Sequence, residues 1–369
     1  MNFDLSEEQR LLQSTARDWF AARYQPADMR RLLDTQAGGR NGGALADHTD
    51  ALAEMGFLGM LVDPAHGGGG LSVLDLAVVA EEAGRVLAGV PLASTAAEAA
   101  TLLGQLGGPD ADGVLRDLAA GKVTLAVVHG PALDGVERLT GTAEPAPDAR
   151  RATAYLVVLD GGDRLVLVRR GQGAGPVEQA ATDPSRGIAR VRFEAAPATV
   201  VASGPALQAA LARARAVGAT ILSAEDLGAA TRCLELAVEY ARQRVAFGRP
   251  IGSFQAIKHM CVDMFVAVEQ LRPLVWFAAW AADADPGQLP LAAAAARAYA
   301  ADALERCAAD CIQVHGGIGF TWEHDAHLFW RRAKVDRLLY GDAAANRDVV
   351  AGLGLAGVAG ATAAQPASS

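Results

Sequence analysis

Two stretches of this chain set cations, amides and bare backbone side by side. In "VEYARQRVAFGRPIGSFQAIKHM", Val238 to Met260, a helix carrying Arg242 and Arg244 must stop at Gly248 and Pro250, and a second must start near Ser253. Arg244, Phe247 and Gln255 are left beside the turn between them. In "QVHGGIGFTWEHDAHLFWRRAK", Gln313 to Lys334, a helix ends at Gly316-Gly317 and aromatic residues follow. Such glycines let a ligand approach the backbone closely, and they also simply end helices. On spacing alone the first stretch reads as a helical hairpin with a Gly-Pro turn, and the second as a helix C-cap.

Other constellations promise less. His324 and His327, with Glu323, share one helix face, but a zinc site needs a third ligand and no HExxH or CxxC supplies one, so no metal is expected. Cys307 and Cys311, four apart on an Ala-rich helix, read as packed thiols. "HGGGGLS", His66 to Ser72, links two helices instead of following a strand. It reads as a flexible turn, not a phosphate cradle, and no GxGxxG or GxxxxGK[ST] occurs elsewhere. Near the end, "RLLYGDAAANRD", residues 337 to 348, is the first place to look for a carboxylate, and it offers Asp342.

The elements that must position these residues follow from periodicity. Leu11, Leu12, Ala16 and Phe20 recur at helical spacing after Ser6, which can cap, and Glu7 and Glu8, which suit a helix start. Apolar segments around 46–62, 72–88, 92–106 and 111–120 read as helices too. The pattern then becomes short and β-branched: "KVTLAVV" from Lys122, "ATAYLVVL" from Ala152, "RLVLV" from Arg164 and "ARVRF" from Ala189. Asp160-Gly161-Gly162-Asp163 supplies a tight hairpin turn. Ser203-Gly204-Pro205 opens a long helical pattern that lasts to Phe247, with further helices expected over 253–282, 290–314 and 322–349. The expected fold class is α+β: a helical domain over 1–120, a small antiparallel β domain over 121–203, a four-helix domain over 204–350, and a low-complexity, disordered tail over 351–369.

A formal net charge of −9 argues against a nucleic-acid partner. Cys233, Cys261, Cys307 and Cys311 form no CxxC pair, and no leader precedes the first helix, so the cytoplasm is the expected compartment. No apolar run reaches the roughly 18 residues of a membrane span.

The pieces "EEQRLL", "MGFLGMLVDPAHGGGGLS", "RQRVAFGRPIGSFQAIKHM" and "QVHGGIGFTWEHD", in this order, resemble the acyl-CoA dehydrogenase family over nearly all of residues 1 to 349. The resemblance implies a helical, β, helical fold, FAD as cofactor, an acyl-CoA substrate, α,β-dehydrogenation, and reoxidation by an electron-transfer flavoprotein. It also implies a dimer, usually doubled, in which Arg244, Phe247, Gln255, Gln313, Gly316 and Gly317 contact the partner's FAD. A guanidinium, side-chain amides and exposed backbone suit a diphosphate.

The chain departs from the family where the base and the flavin ring belong. The family's usual base is a Glu in a "YEGT"-like segment, and Tyr340 falls at that position, with Gly341 and Asp342 after it. A tyrosine is a poor base near neutrality. The second placement, on the long helix, holds Gly218 and Ala219, and Glu225 lies two turns further on. Pro145 and Pro147 stand where a ring-contacting Trp and Thr would be. The leading expectation is therefore a base-deficient subunit that completes the FAD site of a homologous partner, as α2β2, resembling heteromeric actinobacterial enzymes for steroid side chains. The alternatives are a self-sufficient homo-oligomer using Asp342, and a catalytically dead assembly subunit.

Overall fold

The structure is a computed structural model that describes residues 4–37, 49–130 and 133–363. Ser6 and Gln9 form a reciprocal capping box that starts α1 (Glu7–Arg23). Ala16, Trp19 and Phe20 are its buried side chains. Helices α2 (Pro26–Ala37), α3 (Thr49–Glu54), α4 (Val73–Arg85), α5 (Ala100–Leu106) and α6 (Pro109–Ala119) complete the first part. The expected helix over 46–62 is thus short; its first residues lie outside the described ones. The glycine run ahead of α4 is not a flexible turn. Backbone bonds from Gly69 to Gly59, Gly70 to Val62 and Leu71 to Met60 tie it down at 2.8–2.9 Å.

A π-helical stretch, Leu92–Ala99, runs directly into α5. Its wide turn shows in the bond from Ala96 N to Pro91 O, 3.2 Å, five residues back.

Among the described residues eight strands follow: β1 (Leu125–His129), β2 (Leu133–Asp134), β3 (Arg138–Thr142), β4 (Ala154–Leu159), β5 (Arg164–Arg169), β6 (Ala174–Pro176), β7 (Val191–Pro197) and β8 (Thr199–Ser203). They form two four-stranded sheets, ordered β1-β4-β5-β8 and β2-β3-β7-β6. The first is mixed where an antiparallel arrangement was expected, since β1 pairs with β4 in parallel. The chain makes two strands of the other sheet between β1 and β4, which leaves length for a crossover. The Asp160 to Asp163 turn joins β4 and β5 as expected, with Leu159 opposite Arg164. Every residue of β4 is buried. Leu156 and Val158 face the helices, while Tyr155 and Val157 face the second sheet, as the two-residue period requires.

The third part is a bundle of α7 (Pro205–Gln243), α8 (Gln255–Ala284), α9 (Leu289–His315), α10 (Ala326–Asp336) and α11 (Ala343–Ala363), with a two-residue ribbon, β9 (Val245–Ala246) and β10 (Arg249–Pro250), between α7 and α8. Helix α7 touches α4 backbone to backbone. A Cβ on Gly84 would lie 1.9 Å from the carbonyl oxygen of Glu225, and one on Gly228 would lie 1.8 Å from that of Glu81. Two expectations differ at the C-terminal end. The segment 322–349 is two helices, broken where Tyr340 and Gly341 take φ of 57° and 90°. Helix α11 also continues to Ala363 through the low-complexity stretch, whose Ala and Leu content favours helix; residues 364–369 lie outside the described ones.

Candidate active site

Up-down-up packing of α7, α8 and α9 brings the end of α7, the start of α8 and the end of α9 to one end of the bundle. The Tyr240 ring lies 4.4 Å from that of His315, and His315 lies 4.0 Å from His324, so both turns share one aromatic stack. At this end Arg244, Phe247, Gln255, Gln313, Gly316 and Gly317 are all exposed. Phe247, at φ 52°, is 96% exposed. A Cβ on Gly316 or Gly317 would meet nothing within 4 Å, so the space over that backbone is open. Arg244 has no carboxylate partner among the described residues. A free guanidinium, two amides and an open glycine turn fit the diphosphate end of FAD, and no described part of this chain covers them.

His324 and His327 serve packing: His324 stacks on His315, and Trp322 meets His327 edge-on at 5.1 Å. Among the described residues no group of three or more His, Cys, Asp or Glu is placed to hold a metal ion.

A second feature lies between the π-helical stretch, the β domain and the start of α7. It is a cavity of about 390 Å³ whose lining includes Glu98, His129, Glu144, Gln208 and Arg215. The positive φ at Tyr340 turns its ring onto α7 directly over Gly218, where a Cβ would come within 2.8 Å of the phenol oxygen. The two positions where the resemblance places a base thus hold one tyrosine lying on one glycine. The Tyr340 hydroxyl donates to Glu98 Oε2 at 2.9 Å. Burial pushes the Glu98 carboxyl up to about 7, against the opposing pull of that hydrogen bond and of Arg215. Burial, then the charge of Glu98, drives the Tyr340 phenol well above its ordinary value. His129 is held below the usual histidine range by burial and by Arg215.

Asp342 stands apart from this cavity. It is exposed, and its Oδ1 accepts the Ala345 N–H at 2.8 Å, as a cap for α11. Glu225 is buried against Arg186, whose Nε also binds Asp336 at 2.7 Å. Both carboxylates have structural work. Sequence reasoning missed Glu98, a single acid in the apolar run "LASTAAEAATLL"; a charge isolated in so apolar a segment was the available signal.

The β-domain face offers little to a flavin ring. Pro145 and Pro147 carry no N–H, and the N–H groups of Ala143, Glu144 and Ala146 are bound to Val191, His129 and Ala189 at 2.8–3.1 Å. The residues at the bundle end fit the cofactor's diphosphate; those on this face do not present the donors or the aromatic side chain that would hold its isoalloxazine.

A three-part helical, β and helical chain with a turn cluster of this kind defines the acyl-CoA dehydrogenase class of FAD-dependent oxidoreductase. The comparisons agree: residues 6–121 match the acyl-CoA dehydrogenase N-terminal domain and residues 205–353 its C-terminal domain, and the chain belongs to this family. It is 35% identical over 339 residues to acyl-CoA dehydrogenase IpdE2 of Mycobacterium tuberculosis, covering 89% of this chain and 91% of that one. The ChsE4-ChsE5 complex of Mycobacterium tuberculosis superposes with a TM-score of 0.80 at 26% identity, over 100% of both chains. A variant of the Tcur3481-Tcur3483 steroid ACAD gives 0.82 at 27% identity, over 96% of this chain and 99% of that one.

Proposed function

We propose that this chain is one subunit of a heteromeric acyl-CoA dehydrogenase that catalyses α,β-dehydrogenation of a CoA thioester, and that it completes the FAD site of a homologous partner in an α2β2 assembly. The observation that carries this reading is the exposed cluster of Arg244, Phe247, Gln255, Gln313, Gly316 and Gly317, which has cofactor-binding chemistry and no cover from the described residues of its own chain. Ile318, Phe320 and Trp322 extend it as an apolar rim, and Val262 and Phe265 add an exposed stripe on α8. Exposed apolar side chains of this kind suit another protein surface. The proline-bearing face of the β domain, and the absence of a carboxylate at 340 and 218, support a division of labour in which the neighbour supplies the base beside the flavin. The likeness to a steroid ACAD supports a steroid-derived acyl group. An electron-transfer flavoprotein then accepts the electrons, and the free cysteines suit the cytoplasm.

The test is flavin content and assembly mass, first for the chain alone and then for the chain produced with a neighbouring homologue. The expected result is no flavin alone and about one FAD per pair of chains in a mixed tetramer. One FAD per chain in a homo-oligomer would overturn the proposal. In the mixed tetramer, Arg244→Ala should lower flavin retention while leaving the mass unchanged.

A further inference from the structure

Glu98 is a buried carboxylate whose partner is a phenol and not a cation. The other deeply buried acids of the helical parts are matched to arginines: Glu81 to Arg272 at 2.7 Å, Glu82 to Arg17 at 2.7 Å and Asp226 to Arg297 at 2.6 Å. Glu98 has no ion pair among the described residues, and its side-chain hydrogen-bond donor is the Tyr340 hydroxyl. Burying a carboxylate on those terms is costly, and a fold gains nothing from it that Gln or Leu would not give. Its placement is also specific: it sits in a π-helical stretch, a local geometry frequent at functional sites, it lines the cavity, and it is bonded to Tyr340, which falls where the resemblance puts a base.

We propose that Glu98 is the proton-transfer group of this chain's own cavity, taking the α-proton of a bound acyl-CoA thioester, with Tyr340 as the residue that positions it. The inference rests on the reading of the chain as an acyl-CoA protein and concerns the proton half of the chemistry in this chain's own cavity only, a place apart from the partner's flavin site, where the neighbour supplies the base. The α-carbon C–H bond breaks and an O–H bond forms on the Glu98 carboxylate. The electron pair remains as an enolate shared with the thioester carbonyl oxygen, and the same proton, or one exchanged with solvent, returns from Glu98. Arg215 supplies positive charge to the wall of the cavity in which the enolate forms. The charged or titratable groups facing Glu98 are Tyr340 from the α10–α11 turn and Arg215 from α7, while His129 of β1 and Glu144 after β3 line the same cavity. A carboxyl titrating at about 7 is a base matched to neutral pH, which an exposed glutamate is not.

The test uses the full chain and phenylacetyl-CoA, whose α-protons are acidic and which has no hydrogen at its β-carbon, so that no oxidation competes. Binding is measured by calorimetry and α-deuterium incorporation from D2O by mass spectrometry. Glu98→Gln should bind the thioester and exchange it roughly 10²–10⁴-fold more slowly. In the unaltered chain exchange should rise with pH through a midpoint near 7. Tyr340→Phe keeps the ring over Gly218 but removes the hydrogen bond that favours the carboxylate, so its midpoint should move to higher pH, a displacement that a purely structural role would not produce. Binding without exchange, exchange unchanged in Glu98→Gln, or an unmoved midpoint in Tyr340→Phe would overturn the assignment of Glu98 alone. No binding by the unaltered chain would overturn the acyl-CoA reading of the cavity, and Glu98 with it.

Discussion

Tyr340 and Glu98 differ in how they could be found. That position 340 lacks a carboxylate is legible from the spacing back from Arg347. That Glu98 points at the same spot is not, because the contact joins residues 242 apart and depends on a positive φ at Tyr340 that a non-glycine residue rarely adopts. Burial also gives Glu98 a thermodynamic signature. Its carboxyl is raised to about 7 in the folded chain against 4.5 when free, so the native state holds a proton that the unfolded state has lost. The stability this contributes is complete below about 4.5 and disappears as pH rises through 7. Urea unfolding at pH 5 and pH 8 should therefore show a loss in the unaltered chain that Glu98→Gln reduces by about 3 kcal/mol.

Among the elements, the crossing of α4 and α7 is the tightest joint described. Gly84 and Gly228 each face the backbone of the opposite helix, and neither has room for a methyl group. Gly228→Ala should force the helices apart and cost about 3 kcal/mol in chemical denaturation, at the upper end of overpacking penalties. Gly352→Ala, on a part of α11 with open space around it, should instead gain up to about 1 kcal/mol from helix propensity alone. The sequence shows Gly228 only as an interruption in a helical pattern, since periodicity reports what a helix buries and not how closely it is approached. The same limit applies elsewhere. The helix, β, helix order, the β4–β5 hairpin and the α7–α8 turn are local signals and were legible. The parallel pairing of β1 with β4 and the break at Tyr340 are set by distant partners and were not.

For the molecule as a whole, the surface carries the information. The most exposed aromatic of the described residues, Phe247 at 96%, stands beside an arginine with no carboxylate partner among those residues and an open glycine turn, the surface that the proposed assembly would cover. Phe247→Ala should leave the unfolding free energy of the isolated chain within about 0.5 kcal/mol of its original value, because the ring touches little of its own subunit. The same change should weaken assembly and flavin retention in the mixed tetramer, which sedimentation and flavin absorbance would record together. The motifs at this end were the most readable part of the sequence, because turn residues and aromatics announce themselves locally. Which of them meet in space required the bundle.

The stacking of Tyr340 on Gly218 also restricts which substitutions the two positions accept one at a time. Placing a glutamate at 218 by one substitution would drive it into the phenol, and placing one at 340 would empty the space over the glycine and set a second negative charge against Glu98. The two positions are therefore coupled, and what either can hold depends on what stands at the other. A library varying both positions together should recover carboxylate-bearing, folded chains that neither single-site library contains.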